Sequence, residues 1–297
     1  MDFKNAKELL ELCQKQNLPI SRIMLNREIT EGEMPEEEAL SRMARALEIM
    51  KESARTPIKT PVRSMGGLIG GEAGKLAAHQ AASRNILGEV LEKAITCAVA
   101  VLETNASMGL IVAAPTAGSA GVVPGMLLSL QECHHFSDED LVKALFNAGA
   151  IGYLAMRNAT VAGAVGGCQA EVGAASGMAA AALVDIKGGT AEQCAEAFAM
   201  ALTNLEGLVC DPVAGLVEIP CIKRNVIGAM NAVSAADMAL AGVVGHIPAD
   251  EVIDAMAEVG NAMSKDLRET GIGGLAGTPT GRAICEIVTM DNGEEED

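Results

Sequence analysis

Three cysteines stand in polar stretches of the chain that glycine and proline break. They are Cys168 in GGCQAEVG, Cys210 in GLVCDPVAG and Cys221 in EIPCIKRN. Three thiolates can hold three corners of a cubic iron–sulfur cluster and leave the fourth iron open to a substrate oxygen. An open metal corner is a Lewis acid, which stabilises a departing hydroxide. These residue types therefore point to removal of a hydroxyl from a small molecule more than to electron carriage.

The spacing of these cysteines leaves open whether they form a metal site or are simply buried thiols. Intervals of 42 and 11 residues match neither a zinc finger nor a ferredoxin run. Two histidines follow Cys133, but three adjacent residues cannot all face one ion, so a helix end is expected there. The remaining four cysteines lie in helical, apolar contexts that are typical of inert thiols. These four are Cys13, Cys97, Cys194 and Cys285.

Helical periodicity dominates the rest of the chain, and convincing alternating strands are absent from the pattern. Pro35 stands where a helix would begin. Ser137 with Asp140 and Thr190 with Gln193 are typical of N-terminal helix caps. We therefore predict an all-α fold, an Ala- and Gly-rich helical domain.

Most of the glycine and proline lies in irregular stretches between the predicted helices. Besides the three cysteine segments, these stretches are Arg63–Lys75, Ala114–Gly125 and Glu269–Gly281. Broken backbone that recurs among apolar helices predicts loops that converge on one metal site.

The domain organisation is read from charge. Residues 1–60 are more charged than the rest and are predicted to form an N-terminal helical lobe, with Thr56–Pro61 as the joint. Residues 61–297 would form the catalytic domain, and one continuous domain is the alternative. The acidic runs Glu31–Glu38 and Glu294–Asp297 are expected to be solvated, the second as a frayed tail.

Composition excludes several classes of partner. The 297 residues carry a formal net charge of −17, whereas nucleic acid and anionic membranes both require a basic surface. No stretch of about 18 residues is apolar enough to span a membrane. The N-terminus lacks the basic and apolar regions of a signal peptide. We expect a cytoplasmic protein whose eight cysteines are reduced thiols and metal ligands, not disulfides.

Two glycine-rich motifs suggest anion binding. GGEAGK fails as a phosphate-binding loop because a required glycine is missing and Leu76 replaces the magnesium-binding hydroxyl. Its glycines would either present backbone N–H groups to a carboxylate or form a plain tight turn. PTAGSAG offers the hydroxyls of Thr116 and Ser119 ahead of a predicted helix, whose N-terminus favours negative charge.

The cysteine segments also carry a family resemblance. GCQAEVGAASGMAAA, EGLVCDPVAGLVEIPCIKRNVIGAMNAVSAADMAL and APTAGSAGVVPG closely resemble the α chain of the iron–sulfur-dependent L-serine dehydratases, and the resemblance extends from about Met65 to Gly281. It implies an all-helical catalytic domain and an oxygen-sensitive [4Fe-4S] cluster with Cys168, Cys210 and Cys221 as ligands. It also implies conversion of L-serine to pyruvate and ammonia without pyridoxal phosphate, in amino-acid degradation and gluconeogenesis. A monovalent cation is a further candidate cofactor.

Under this resemblance the loop residues receive expected roles. The base that removes the Cα proton is expected to be Lys75, His79 or a group from a partner chain, and Ser119 is a further candidate catalytic residue. Arg224, Asn225 and Asn231 are expected to orient thiolate or substrate. Candidate substrate-binding residues are Ser64, Gly67, Thr116, Gly118, Asn231, Arg268 and Thr270.

Two departures from the family pattern bear on partners. Single-chain members carry a further domain with a Ser- and His-rich SSSHT-type loop, which this sequence lacks. We therefore expect the two-subunit form, a heterodimer in which a separate β chain supplies that loop. Some relatives end in a cysteine that caps the open iron, whereas this chain ends in EEED. Whether Cys285 takes that place stays open.

Two other functions fit the same cysteines. A related cluster enzyme would remove sulfide from cysteine, since a thiol also binds iron and leaves by β-elimination. A non-catalytic scaffold would hold zinc with the same three thiolates.

Overall fold

The computed structural model describes residues 2–82 and 86–293, so the acidic tail Glu294–Asp297 lies outside the described residues. Within these ranges the chain forms thirteen α-helices. In chain order they are α1 Ala6–Gln16, α2 Ile20–Glu31, α3 Glu36–Lys59, α4 Glu72–Ala81, α5 Glu89–Ala106, α6 Val122–His134, α7 Asp138–Asn158, α8 Gly163–Gly166, α9 Ala174–Ile186, α10 Ala191–Thr203, α11 Cys221–Leu240, α12 Ala249–Ala262 and α13 Pro279–Gly293.

The predicted all-α fold is confirmed. In the described ranges the only strand-like pairing is a single bridge between Cys210 and Arg268. A π-helical turn, Gln169–Gly173, directly precedes α9. No helix in the described part of the chain is both long enough and apolar enough to cross a membrane.

The helix starts expected from the sequence are present. Pro35 directly precedes α3, and its fixed φ suits the first turn of a helix. At the start of α7, Ser137 Oγ accepts from the N–H of Asp140, whose carboxylate accepts from the N–H of Ser137. Thr190 and Gln193 form the same capping box at α10. Each box satisfies two backbone donors that the helix itself leaves unpaired.

Small residues allow the central helices to pack closely. Helix α9 is buried from Ala174 to Val184 and contacts α6, α7, α10 and α11. A Cβ added at Gly177 would lie 2.2 Å from a ring carbon of Phe198, so that ring packs directly on the α9 backbone. This close approach explains how a chain with four Phe and no Trp fills its core.

The first three helices pack on the same core. Helix α2 lies on α7 and α3 lies on α5, and Phe3, Ile23 and Leu47 belong to one continuous hydrophobic cluster with the later helices. The division near residue 60 stays a prediction.

Helix α3 extends through part of the expected joint Thr56–Pro61. Pro57 is buried in its last turn, and a proline there leaves the carbonyl of Ser53 without a helical donor. The hydroxyl of Thr104, on α5, donates to that carbonyl at 2.8 Å. The helix therefore continues to Lys59 and is tied to α5.

A buried carboxyl group fixes the start of α4. Glu103 Oε1 accepts from the N–H groups of Glu72, at 2.5 Å, and Ala73, at 3.3 Å. Burial, and then the interaction with the Glu72 carboxyl, raises the pKa of Glu103 to about 7. The second oxygen, Oε2, meets no donor among the described residues, so it is the natural place for the proton.

Changing Glu103 to Gln should remove a pH dependence of stability. Because the folded pKa lies near 7 and the ordinary value is 4.5, the wild-type free energy of unfolding should fall as pH rises through this window. A neutral amide has no such loss, so we expect the variant to be more stable than wild type by about 2 kcal/mol at pH 8, and by less toward pH 5. Urea unfolding at both pH values measures the difference. The exposed Glu258→Gln serves as control, and the same pH dependence in E103Q and wild type would contradict the assignment.

Candidate metal centre

Two buried cysteines and a buried glutamate lie together where several loops converge, and a third buried cysteine lies near them. Cys168 precedes the π-helical turn, Cys210 lies in the loop after α10, and Cys221 is the first residue of α11. The ligand atoms of Cys168, Cys210 and Glu171 all lie within 4.8 Å of one another. Cys221 is close enough for the charges of Cys168 and Glu171 to raise the pKa of its thiol. In the described ranges no other group of three His, Cys, Asp or Glu side chains has this geometry.

The segment after Cys168 is anchored by a buried amide. Gln169 Nε2 donates to the carbonyl of Met256, on α12, at 2.9 Å, and its Oε1 accepts from the N–H of Gly207 at 2.9 Å. Glu171 follows within the same π-helical turn, an irregular helix type that is frequent at functional sites. The turn and the residue directly before it thus place the Glu171 carboxyl group and the Cys168 thiol close together.

The last glycine loop holds the segment around Cys210. The N–H of Cys210 donates to the carbonyl of Leu267 at 2.8 Å, and its carbonyl accepts from the N–H of Glu269 at 2.6 Å. The next side chain, Asp211, accepts from the N–H of Leu275 at 2.7 Å. The predicted convergence of the glycine loops is confirmed here.

Arg224 supplies a half-buried positive charge beside the thiols. Its guanidinium forms an ion pair with Asp211 at 2.6 Å and donates to the carbonyl of Val209 at 2.6 Å. The Asp211 side chain is 4% exposed, so this pair is screened little by solvent. Because Arg224 lies one turn after Cys221, the pair ties the start of α11 to the Cys210 segment.

The groups around the three thiols shift their pKa values in different directions. A hydrogen bond from the Cys210 thiol, with the Arg224 guanidinium acting in the same sense, holds the pKa of Cys168 below its usual range. That same bond, together with burial, raises the pKa of Cys210. Burial and the charge of Cys168 raise the pKa of Cys221 to about 12.

The carboxyl group of Glu171 packs against glycine residues and accepts a hydrogen bond from a neighbouring hydroxyl. The Thr116 hydroxyl donates to its Oε1 at 2.7 Å, while burial raises the pKa of the carboxyl group. A Cβ added at Gly163 would lie 2.6 Å from Glu171 Oε2 and 3.1 Å from Cys210 Sγ. Zinc or an iron–sulfur group fits this set of soft thiols, one carboxyl group and a neighbouring cation. The space beside these groups stays open because residue 163 is glycine.

Asn225 joins the PTAGSAG turn to the cysteine helix. Its Nδ2 donates to the carbonyls of Gly118, at 2.7 Å, and Cys221, at 3.0 Å, and its Oδ1 accepts from the N–H of Gly121 at 3.0 Å. These contacts fix the turn against the start of α11, and the expectation that Asn225 orients thiolate or substrate stays a prediction. Ser119 is fully buried, and its Oγ lies 3.2 Å from Thr116 Oγ1 within the same turn. Its catalytic role stays a prediction.

The candidate bases lie on the outside of α4. Lys75 is exposed beside Glu72, with 3.9 Å between the charged atoms. His79 is exposed at a shallow cavity that Leu76 and Ile86 also line. Their assignment as catalytic base stays a prediction.

The expected substrate-binding residues take different positions. Ser64 is buried and donates to the carboxylate of Glu218 at 2.6 Å. Gly67 adopts a φ of +67° in the same loop. Gly118 lies against Glu171: a Cβ there would be 3.1 Å from Oε1.

Besides Thr116, which donates to Glu171, three more residues of this set are engaged with backbone carbonyls. Asn231 donates to the carbonyl of Ala201 at 2.7 Å and so ties α11 to α10. Arg268 donates to the carbonyl of Val165 at 3.3 Å. Thr270 is exposed and donates to a carbonyl of its own loop. Substrate contact stays a prediction for the whole set.

The remaining cysteines agree with the expectation of helical thiols. Cys13, Cys97 and Cys194 are buried in helices, and burial raises the pKa of the first two to about 12. Cys133 lies in the last turn of α6, as expected of a helix end, and Cys285 is half-buried in α13.

Two buried carboxyl groups were missed from the sequence. Glu171 stands alone in a run of small apolar residues, and a charge in such a run needs a partner when it is buried. This isolated charge could have identified Glu171 as a candidate site residue from the sequence alone. Glu218 has no local signal, since its donors lie about 150 residues earlier in the chain.

Comparison with known proteins assigns the family. A family model described as the serine dehydratase alpha chain matches residues 15–276. A probable L-serine dehydratase α chain from Bacillus subtilis (strain 168) is 51% identical over 282 residues, which cover 95% of this chain and 94% of that protein. The chain belongs to the serine dehydratase α-chain family.

Relatives of this α chain differ in length. The L-serine dehydratase α chain of Peptoniphilus asaccharolyticus is 43% identical over 95% of this chain and 97% of its own length. An L-serine dehydratase of Escherichia coli (strain K12) is 37% identical over 93% of this chain, but the match covers 62% of that protein. The longer relatives thus hold further sequence beyond the part that matches this chain.

Gly163→Ala should weaken metal binding without unfolding the α chain. The added Cβ would press on Glu171 Oε2 and Cys210 Sγ, so at least one ligand group must move. We expect Co2+ to bind about tenfold more weakly, as found when groups that orient ligands are disturbed. The thiolate-to-cobalt absorption during titration reports the affinity. Gly149→Ala is the matched control, because a Cβ on α7 there meets no atom within 4 Å. Equal Co2+ affinities in wild type, G163A and G149A would show that Gly163 does not shape the site.

Proposed function

We propose that this chain is the catalytic α chain of an iron–sulfur L-serine dehydratase, a lyase that converts L-serine to pyruvate and ammonia. The observation that carries the proposal is the buried convergence of Cys168, Cys210 and Cys221 in a member of the serine dehydratase α-chain family. The two relatives of matching length are named as L-serine dehydratase α chains. The same proposal places the reaction in cytoplasmic amino-acid degradation, where pyruvate supports gluconeogenesis, and a monovalent cation stays a candidate cofactor.

The three cysteines would hold a [4Fe-4S] cluster. When bound, such a cluster supplies an open iron that acts as a Lewis acid toward the serine hydroxyl. Arg224 offsets part of the negative charge that thiolates bring into a buried site, and Asp211 keeps its guanidinium in place. Asn225 holds the PTAGSAG turn at a fixed distance from Cys221.

The remaining residues orient substrate and exclude water. Glu171, fixed by Thr116, places a carboxyl oxygen beside the thiols, where it can accept a hydrogen bond from serine. A base removes the Cα proton, the hydroxyl leaves, and the resulting aminoacrylate hydrolyses to pyruvate and ammonium. Lys75 and His79 remain candidates for that base, as does a group from the partner chain.

We further propose a β chain as partner, docked on an apolar rim formed by Met65, Met108 and Leu110. These side chains are 63%, 77% and 64% exposed. They lie together, because the N–H of Met65 donates to the carbonyl of Ala106 and so joins the two loops. The longer relatives support this partner, since they carry further sequence in the same polypeptide. The partner would supply an SSSHT-type loop to the site.

One observation favours zinc as a second candidate. Ligand atoms within 4.8 Å of one another suit a single tetrahedral ion, for which thiolate sulfurs at about 2.3 Å from the metal lie roughly 4 Å apart. A zinc scaffold would have no dehydratase activity.

Anaerobic reconstitution with iron and sulfide tests the proposal. We expect a brown protein with about four iron and four sulfide per chain, which forms pyruvate from L-serine when a β chain is present. Elemental analysis, acid-labile sulfide and a pyruvate assay are the measurements, with L-cysteine assayed in parallel. Zinc without sulfide would refute the dehydratase proposal, and preference for cysteine would indicate the desulfidase.

The matched variants for this experiment are two single cysteine changes. Cys210→Ser should lose both the brown colour and the activity, since Cys210 is a buried ligand candidate. Cys133→Ser, in the last turn of α6, should keep both. Full turnover by C210S would remove Cys210 from the ligand set.

The apolar rim provides an independent prediction for the partner. Met65→Asp combined with Leu110→Asp should weaken β-chain association at least about tenfold, because each change puts a charge into an apolar interface. The metal content of the α chain should stay as in wild type. Analytical ultracentrifugation of the mixed chains measures association. Met156→Asp, an equally exposed position on α7, is the control. Undiminished association of the double variant would place the β chain elsewhere.

A further inference from the structure

The first glycine loop, Ser64–Ile69, binds the carboxylate of a residue of the same chain. Glu218 is 2% exposed, and its Oε2 accepts from the Ser64 hydroxyl at 2.6 Å and from the N–H of Leu68 at 3.1 Å. Its Oε1 accepts from the N–H of Gly66 at 2.7 Å. All three donors to the Glu218 carboxylate are neutral groups of this loop.

The loop needs glycine for this contact. A Cβ at Gly66 would lie 2.4 Å from a methyl carbon of Leu216 and 3.0 Å from Glu218 Oε1. Only a residue without a side chain allows the backbone N–H to come this close. Ser64 Oγ also accepts from the N–H of Ile69 at 3.2 Å, so one hydroxyl links the carboxylate to both ends of the loop.

The other end of Glu218 is part of the cysteine helix. Its carbonyl accepts from the N–H of Ile222 at 3.1 Å, in the first turn of α11, which begins at Cys221. A single residue thus fixes the glycine loop through its side chain and the start of the cysteine helix through its backbone. Any shift of the loop relative to Cys221 must break hydrogen bonds to a buried carboxylate, which is costly.

We propose that Glu218 is a positioning residue: it holds the glycine loop Ser64–Ile69 in register with Cys221, so that the loop borders the substrate site in one fixed place. The inference rests on the proposed function and adds to it a residue that touches neither metal nor substrate. It also gives Ser64 a role, as the loop's donor to Glu218.

Two variants remove the contact from opposite sides. Glu218→Gln keeps the shape, but an amide has one accepting oxygen, so at least one of the three donors loses its acceptor. Ser64→Ala removes the hydroxyl and leaves the carboxylate. Because both act on one contact, their effects should be non-additive in the double variant. The exposed Glu258→Gln is the control for loss of a charge.

Amide hydrogen exchange on the holoenzyme, by mass spectrometry, is the readout that needs no turnover. We expect exchange of the segment 64–70 to rise about tenfold in E218Q and S64A, the factor that corresponds to one ordinary hydrogen bond. Exchange in α11 and the iron and sulfide content should stay as in wild type. Unchanged exchange in the loop would overturn the proposal, and so would loosening of α11 with loss of iron, since Glu218 would then be a general structural residue.

Kinetics separate positioning from mere loss of folded enzyme. We expect the KM for L-serine to rise about tenfold while kcat changes by less than about threefold, because a displaced loop weakens substrate binding in ground state and transition state alike. A fall in kcat at constant KM would overturn the proposal. Absence of pyruvate formation by the wild type would count against the proposed function alone, since the exchange rates judge the anchoring by themselves.

Discussion

The buried ion pair between Arg224 and Asp211 is the interaction on which the candidate site depends. It joins the helix that begins at Cys221 to the segment that carries Cys210, with 2.6 Å between the charged atoms and little solvent access. A buried pair of this kind contributes little net stability, but removal of one partner leaves an uncompensated charge and is strongly destabilising. Here the pair sets where two cysteines stand and places a positive charge beside thiols that must ionise to bind metal.

A second constraint follows from the acidity of the chain. The formal net charge is −17, and several buried carboxyl groups accept hydrogen bonds from backbone and hydroxyl donors instead of pairing with a cation. Glu218 binds the first glycine loop, Glu103 binds the start of α4, and Glu171 accepts from Thr116. The glycine-rich segments thus bind carboxyl groups of the same chain instead of an external anion. They hold irregular backbone in place around a site that regular helices do not supply.

The arrangement also explains why irregular loops do not weaken the fold. Helix α9 and its neighbours form an Ala-rich core in which close approach replaces large aromatic side chains. Loops emerge at the ends of these helices and are fixed by side-chain contacts of long sequence separation. A rigid scaffold with defined loops is the usual basis for a preorganised site, and it leaves the apolar rim free to meet another chain.

The sequence by itself determined the helices, their caps and the three cysteine segments. Helical periodicity and capping boxes are local, since each contact spans three or four residues, and this is why Ser137 and Thr190 were identifiable without a structure. The family motifs pointed to the candidate ligand cysteines for the same reason. Only the tertiary structure decided that Glu171 stands with the thiols, that Ser64 faces Glu218, and that Lys75 and His79 point outward. Those facts depend on contacts between residues far apart in the chain, such as the 154 positions between Ser64 and Glu218, and such contacts leave no periodic trace in the sequence.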